Sequence, residues 1–488
     1  MDPRSSKPCI GWRAAIAHGR ALLPSLRPGR LDATVAEERG KERLKRVFWT
    51  ALSSGLAKGV NALSMLVAVP VTLTYLGAER FGLWMTIASL AAFLGFADLG
   101  IGNGVLNIIS EAYGRNDVDT ARKCVSSAVA VLTGIALVLG FLFWLVYPHV
   151  AWGRVFNVSS PIASKEAGPA TAVFVAVMIA NLPLSIIPRV QMAYQEGYIS
   201  GIWQAASNLL GLVGLLAIAR LGAGLPLLVL AFMGAPVVGN LLNAVGLLGF
   251  QRPWLVPKRR HVDASVAQRI IWVGSQFVMI QVGNAVIGYA DNMVIAHALG
   301  PEAVARYAVP AKLFALVPML LYMALAPLWP AFGEANVRGD AGWARLTLAR
   351  AILASAGLCA IASLVFVGFG ERILHLWVGP TATYSLALMI GLGVWTTVSS
   401  VLAAIALFLN AANVLRLQVA CVLLTAVCAT VSKVALARLA GLPAIVWSTV
   451  GASILFMLLP YSVYLAKRFG RIGRPAPMSA QSVEHVRV

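Results

Sequence analysis

Three observations predict an all-α, polytopic membrane protein. It should have about twelve transmembrane helices in two pseudo-symmetric six-helix bundles, with a V-shaped cavity between them. First, 59% of the 488 residues are hydrophobic and only 12% are charged, with a mean hydropathy of +0.80. A water-soluble chain of this size could not hide that much apolar surface. Second, charge-free runs such as Cys124–Gly153, Leu221–Gln251 and Ile373–Leu415 exceed the roughly 20 residues that a helix needs to cross a bilayer. A β-barrel would show short alternating segments instead. Third, the chain repeats itself. Shifted by 223 positions, Arg46 falls on Arg269, Trp49 on Trp272, Asn61 on Asn284, and Leu76-Gly77-x-Glu79 on Leu299-Gly300-x-Glu302. Glu111-Ala112, Arg115, Asp117 and Ala121-Arg122 fall on Glu334-Ala335, Arg338, Asp340 and Ala344-Arg345, without a gap. Charged letters are scarce here, so their coincidence carries the inference.

In chain order, residues 1–46 form a basic tail. No apolar stretch of signal-peptide type follows its charges. Ile10–Leu26 reads as a disordered segment or a short surface helix. Span 1 is predicted over Val47–Leu76. Gly77-Ala78-Glu79-Arg80 makes a tight outer turn, and span 2 covers Phe81–Ser110. The polar loop Glu111–Lys123 carries the turn sequence Gly-Arg-Asn-Asp, and span 3 runs to Tyr147. After a Pro-, Asn- and Gly-bearing outer segment come span 4 (Pro169–Tyr194), span 5 (Ile199–Ala219) and span 6 (Leu225–Phe250). The connection 251–268, centred on Lys258-Arg259-Arg260-His261, separates the first lobe (47–250) from the second (269–466). Spans 7 to 12 follow over Arg269–Ala298, Tyr307–Phe332, Leu346–Gly368, Tyr384–Asn410, Leu417–Ala437 and Leu442–Ala466. A tail of 467–488 ends the chain. Equivalent spans are six apart and enter from the same side. The pseudo-two-fold axis therefore follows the membrane normal, the plan of transporters built as two rocking bundles.

A net charge of +20 could suggest nucleic acid, but its distribution excludes that. In the twelve-span layout 28 Lys and Arg lie on the side of the tails and even-numbered loops, against 7 on the other. That asymmetry places both termini in the cytoplasm and favours contact with anionic lipid. The five cysteines are scattered and read as small packing residues. No cofactor or metal is implied. Trp84, Trp152, Trp254, Trp329 and Trp377 fall near span ends, where an interfacial belt is expected.

Ions inside a span need a reason, because each costs about 2.5–3.5 kcal/mol at the bilayer centre on insertion scales. The candidates are Lys58, Asp98, Arg189, Asp291, Lys312 and Lys433. By depth, Lys58 could pair with Asp98, and Asp291 with Lys312. Such pairs are either stitches between helices or parts of a cavity that holds an anion and trades a proton or Na⁺. Lys433 and Arg189 lie near span ends and could snorkel, although either could also contact substrate. The shifted partners of Lys58 and Asp98 are Gln281 and Leu321, so the charges are not copied between halves. That favours a functional role, with Lys58 and Lys312 as first substrate contacts. Pro70 in span 1 and Pro318 in span 8, beside Pro310 and Pro327, bend helices next to cavities and are candidate gate kinks.

The run Tyr75-Leu76-Gly77-Ala78-Glu79-Arg80-Phe81-Gly82-Leu83-Trp84, followed by Ala97-Asp98-Leu99-Gly100-Ile101-Gly102 and then Ser110-Glu111-Ala112-Tyr113-Gly114-Arg115-Asn116-Asp117, resembles the polysaccharide transporter family. These are the O-antigen and exopolysaccharide flippases of the multidrug/oligosaccharidyl-lipid/polysaccharide exporter superfamily. The likeness is strong over 47–125, weaker over 270–350 and only topological elsewhere. It implies 12 to 14 helices in two bundles and a bacterial inner-membrane location. The implied substrate is an undecaprenyl-diphosphate-linked oligosaccharide, moved to the outer leaflet through a cationic cavity entered beside helices 1 and 8. That cavity would suit Lys58 and Lys312, and the acidic Leu-Gly motif maps onto Asp98. Arg189, Asp291 and Lys433 match no motif of the family. A polysaccharide polymerase and a chain-length regulator are implied partners. Two other functions compete. A drug/cation antiporter of the same superfamily would want acids and few cations in its helices. A membrane polymerase or glycosyltransferase would need paired carboxylates on a sizeable loop, and the longest outer loop carries only Glu166.

Overall fold

The computed structural model describes residues 36–90, 98–378 and 385–470. The expectation of a surface helix at Ile10–Leu26, and both tail ends, lie outside them. Every regular element among the described residues is helical. Those of eight residues or more are α1 (Ala36–Leu90), α2 (Ile101–Gly114), α3 (Val118–Val146), α4 (Pro161–Leu184), α5 (Ile186–Ala193), α6 (Gly197–Leu221) and α7 (Leu225–Val245). The second half supplies α8 (Ala264–Leu299), α9 (Pro301–Leu325), α10 (Leu328–Val337), α11 (Ala341–Val378), α12 (Leu386–Ala411), α13 (Leu415–Ser453) and α14 (Leu459–Gly470).

Among the described residues, ten stretches are long and apolar enough to cross a membrane; the sequence predicts about twelve. Residues 91–97 of predicted span 2 lie outside the described residues, and the chain turns at 98–100 before α2 begins. Spans 11 and 12 read as one stretch, Leu415–Gly470, although at 1.5 Å per residue its 56 residues would reach about 84 Å, far beyond one crossing. Gly441 breaks it, with φ 66 and ψ −153. Spans 1 and 2 join in the same way across Gly77, at φ 75 and ψ 168. Only glycine enters that backbone region readily, since any Cβ there is strained.

The repeat is visible in the backbone. Gly300, the shifted partner of Gly77, has φ 88 and ψ 165. The two loops also share several bonds. Asp117 N–H donates to the Ala112 carbonyl and Asp340 N–H to the Ala335 carbonyl, both at 2.9 Å. Arg115 bonds Glu111, and Arg338 bonds Glu334. The residue coincidences thus go with matching backbone geometry at these turns.

Packing follows the same division. One core cluster draws only on the first half, around Leu83, Trp84, Ile87 and Phe174. A second draws only on the other half, around Ile295, Phe314 and Leu374. The largest cluster contains residues of both, among them Val105, Leu106, Ile270 and Phe332. In the first half α1 lies along α6, which packs on α7; in the second, α8 lies along α13 and α11 along α12. Where the halves meet, α8 and α10 pack on α2. Trp84 and Trp329 are buried rather than in an interfacial belt, because Trp84 serves the first core and Trp329 donates its indole N–H to Asn107 across the halves at 2.6 Å.

Helix α1 begins at Ala36, well before the predicted Val47. Those extra turns are docked: Gly40 lies against the Trp343 ring, and Arg39 and Arg43 reach the second half.

Candidate substrate-binding site

The turn at 98–100 shapes the first-half site. The Asp98 carboxylate accepts the backbone N–H of Gly100 at 3.0 Å and of Gly102 at 3.3 Å, which satisfies two of the free donors that open a helix. Leu99 and Gly100 adopt φ 48 and φ 71. Gly100 also touches the Gly274 backbone of α8, so a side chain there has no room. Gly102 leaves space for two charges: a Cβ would lie 2.8 Å from Asp98 Oδ2 and 3.1 Å from Arg189 Nε. The motif Asp98-Leu99-Gly100-Ile101-Gly102 is therefore a helix break, a contact between halves and a charged niche.

Asp98 and Arg189 line a cavity of about 440 Å³ in the first half, together with Asn61, Ser64, Asn181 and Asn208. Arg189 stands on α5, set off from α4 by the break at Ser185. It is half-buried and within electrostatic reach of Tyr322 on α9. It has no ion pair within 4.0 Å among the described residues.

The two pairings expected from depth do not form. Lys58 is exposed and unpaired among the described residues, because the turn at 98–100 uses the Asp98 carboxylate for its own amides. Asp291 pairs with Lys433 rather than Lys312, with Nζ 2.5 Å from Oδ1. Lys433 does not snorkel. It is fully buried and donates also to the Ile287 carbonyl at 3.0 Å. Tyr307 donates its hydroxyl to the other Asp291 oxygen. This triad ties α8, α9 and α13 together, and its charges are closed on themselves.

Lys312 is likewise exposed and unpaired among the described residues. Helical spacing relates the two lysines. Gly55 of α1 faces the Met323 methyl of α9. Lys58 follows Gly55 by three residues and precedes Asn61, a cavity residue, by three, so its side chain falls between those directions. Lys312, Leu316, Met319 and Met323 share one face of α9. At 1.5 Å per residue, Lys58 is about 5 Å and Lys312 about 16 Å along from the Gly55–Met323 contact. Pro70 and Pro318 lie inside α1 and α9, but the interruption of span 8 falls at Ala326–Pro327.

The halves are clasped at the tail-bearing end. Arg43 is fully buried and pairs with the buried Glu334. It also reaches Asp340 at 2.6 Å, and Arg39 reaches Asp340 at 2.8 Å. Burial pushes the Asp340 carboxyl up, but hydrogen bonds from Arg39 and Arg43 outweigh it and hold that group below the ordinary range. The reciprocal bond joins Arg269 to Glu111 at 2.7 Å. Asn107 adds bonds to the Asn410 carbonyl and the Asn413 side chain. No ion pair or hydrogen bond joins the halves at the opposite end among the described residues. Glu111 and Glu334 were legible as copied letters, but their part in this clasp was not.

A family profile described as "Polysaccharide biosynthesis protein" matches residues 44–336, more than half of the chain. The chain belongs to the polysaccharide biosynthesis protein family. Among its relatives, a putative O-antigen export protein of Yersinia pseudotuberculosis is 23% identical over 299 residues, 59% of this chain and 65% of that one. The match thus spans just under two thirds of that relative. A putative O-antigen transporter of Salmonella typhi is 23% identical over 337 residues, 68% of this chain and 74% of that one. In fold, this member of the family is similar to a multidrug resistance transporter of the MATE family and MOP superfamily, solved in an outward-facing conformation. The TM-score is 0.72 at 14% identity, over 89% of this chain and 97% of that one.

Proposed function

We propose that the protein is a flippase that carries an undecaprenyl-diphosphate-linked oligosaccharide from the cytoplasmic to the periplasmic leaflet of a bacterial inner membrane, for assembly of O-antigen, capsule or exopolysaccharide. One observation carries the reading. Lys58, Arg189 and Lys312 have no carboxylate partner among the described residues, while Asp98 is held by backbone amides and Asp291 by Lys433. The helices between the halves therefore offer surplus positive charge, the chemistry that shelters a diphosphate from hydrocarbon. The names of the relatives point the same way.

Two lobes, 47–250 and 269–466, rock about the duplicated axis. Among the described residues their ion pairs and hydrogen bonds gather at the tail-bearing end, an arrangement that suits an outward-open state. The basic tails put the clasped end in the cytoplasm. Anionic lipid is a partner of those tails, and a polymerase and chain-length regulator would receive the product.

The test is deletion with trapping. Lipid-linked repeat units should accumulate on the inner leaflet and surface glycan should vanish. Intact surface glycan with raised dye sensitivity would overturn the reading in favour of a drug antiporter. Lys58→Ala and Lys312→Ala proteins that reach the membrane should lose most transport; full transport by both would remove these lysines from the site.

A further inference from the structure

The duplication leaves a second cavity, of about 440 Å³, in the other half. Its relation to the first is set by sequence register. Asn61 and its shifted partner Asn284 line the first and second cavities respectively. Lys58 has Gln281 as its counterpart, and Gln281 also lines the second cavity. An amide stands where the first copy has an ammonium. No charged side chain among the described residues lines the second cavity, whereas the first holds Asp98 and Arg189.

What replaces charge is aromatic surface and unspent hydrogen bonds. Tyr461 is a fully buried part of the cavity wall, and its hydroxyl has no hydrogen-bond partner among the described residues. Buried hydroxyls are rarely left so unless something fills the gap. The Trp395 indole N–H and the amides of Gln281 and Asn284 also make no hydrogen bond among the described residues. A prenyl chain would leave all of these groups unsatisfied. A cation would find no carboxylate, and an anion no ammonium.

Resting on the flippase reading, we infer that this second cavity is a neutral-sugar site, which takes an uncharged glycosyl residue of the cargo while the first half holds the diphosphate. A sugar ring offers an apolar C–H face to Trp395 and hydroxyls that both donate to and accept from Gln281 and Asn284. A uronic acid residue would meet no counter-charge there and would bind more weakly.

The experiment uses the full chain in nanodiscs and two soluble probes. One is the oligosaccharide repeat unit released by mild acid from the cells' lipid-linked pool; the other is inorganic pyrophosphate. Gln281→Ala and Trp395→Ala should raise the Kd for the repeat unit by tenfold or more and leave pyrophosphate binding unchanged. Trp395→Phe, which keeps a stacking face, should retain most sugar binding, and thermal melting checks that each variant is folded. Arg189→Ala should show the opposite pattern. Failure of the wild type to bind the repeat unit would overturn the inference, as would sugar binding indifferent to both cavity variants or competed away by a soluble prenyl alcohol. Absent pyrophosphate binding with sugar binding intact would sink the flippase reading instead.

Discussion

Lys433 is fully buried, and among the described residues its charge is answered by Asp291 and the Ile287 carbonyl. Removing one member of such a pair leaves a bare buried ion and costs about 3–5 kcal/mol, whereas replacing both is often neutral. Lys433→Met should therefore lower the thermal midpoint sharply, and Lys433→Met with Asp291→Asn should recover most of the loss. Transport by the double variant then separates the roles: a stitch survives the replacement, and an ion-coupling site does not. Arg43 and Glu334 obey the same rule at the clasp. Arg43→Ala should expose the joint, read as faster thiol labelling of a Ser110→Cys reporter in a background without native cysteines. Unchanged labelling would mean that the clasp does not close the joint. At this scale the sequence disclosed which charges are costly but misassigned their partners. Glu334 lies 291 positions from Arg43, and depth along a span says nothing about which neighbour a side chain meets.

Three glycines do most to set the course of the helices. Gly77, Gly300 and Gly441 occupy a region that is essentially closed to other residues, at a cost of about 1–3 kcal/mol for a substitution. Gly77→Ala and Gly300→Ala should each lower stability by that amount, measured by thermal unfolding in detergent, with similar losses because the two turns are copies. Beside Gly77, hydrogen bonds from Ser160 and then Ser159 hold the Glu79 carboxyl down at about 2. This tie between α1 and the start of α4 therefore persists at any pH above that. The turn at Gly77 was legible from its glycine and flanking charge. The break at 98–100 was not, since Asp98-Leu99-Gly100 sits in an apolar run with helical periodicity on both sides. Only the approach of the Gly274 backbone shows why a helix must stop there. The start of α1 was misread for a related reason: residues 36–46 look like a solvated tail until Trp343 and Asp340 cover them.

Across the whole molecule, the proposed flippase function couples cargo charge to membrane voltage. An inside-negative potential favours outward movement of an anion by about 2.3 kcal/mol per charge per 100 mV, so a diphosphate with about two charges gains about 4–5 kcal/mol on that scale. Proteoliposomes with an imposed potential should flip cargo faster than the same vesicles with it collapsed; equal rates would sink this energetic claim. Acidity should act on the clasp. The Asp340 carboxyl is depressed in the folded protein, so its contribution is full above the unfolded value of about 3.9 and is lost only as pH falls through the lower folded value. The loss of thermal midpoint caused by Asp340→Asn should thus stay constant from neutrality to about pH 4 and shrink below it. The repeat of charged letters at a spacing of 223 was readable because such letters are rare in this chain, and the matching turns at Gly77 and Gly300 agree with it. Which charges line a cavity was not readable, because that depends on neighbours remote in sequence.

The two reciprocal arginine bonds of the clasp differ in one respect. Arg43 and Glu334 are sealed from water, whereas the Arg269 side chain is 48% exposed against Glu111. Dissolved salt screens the second bond and hardly touches the first. Raising ionic strength at the clasped end should therefore loosen one hinge of the door and leave the other bolted. Opening would then begin as a lopsided swing about the dry arginine, and only later become a parting of both leaves.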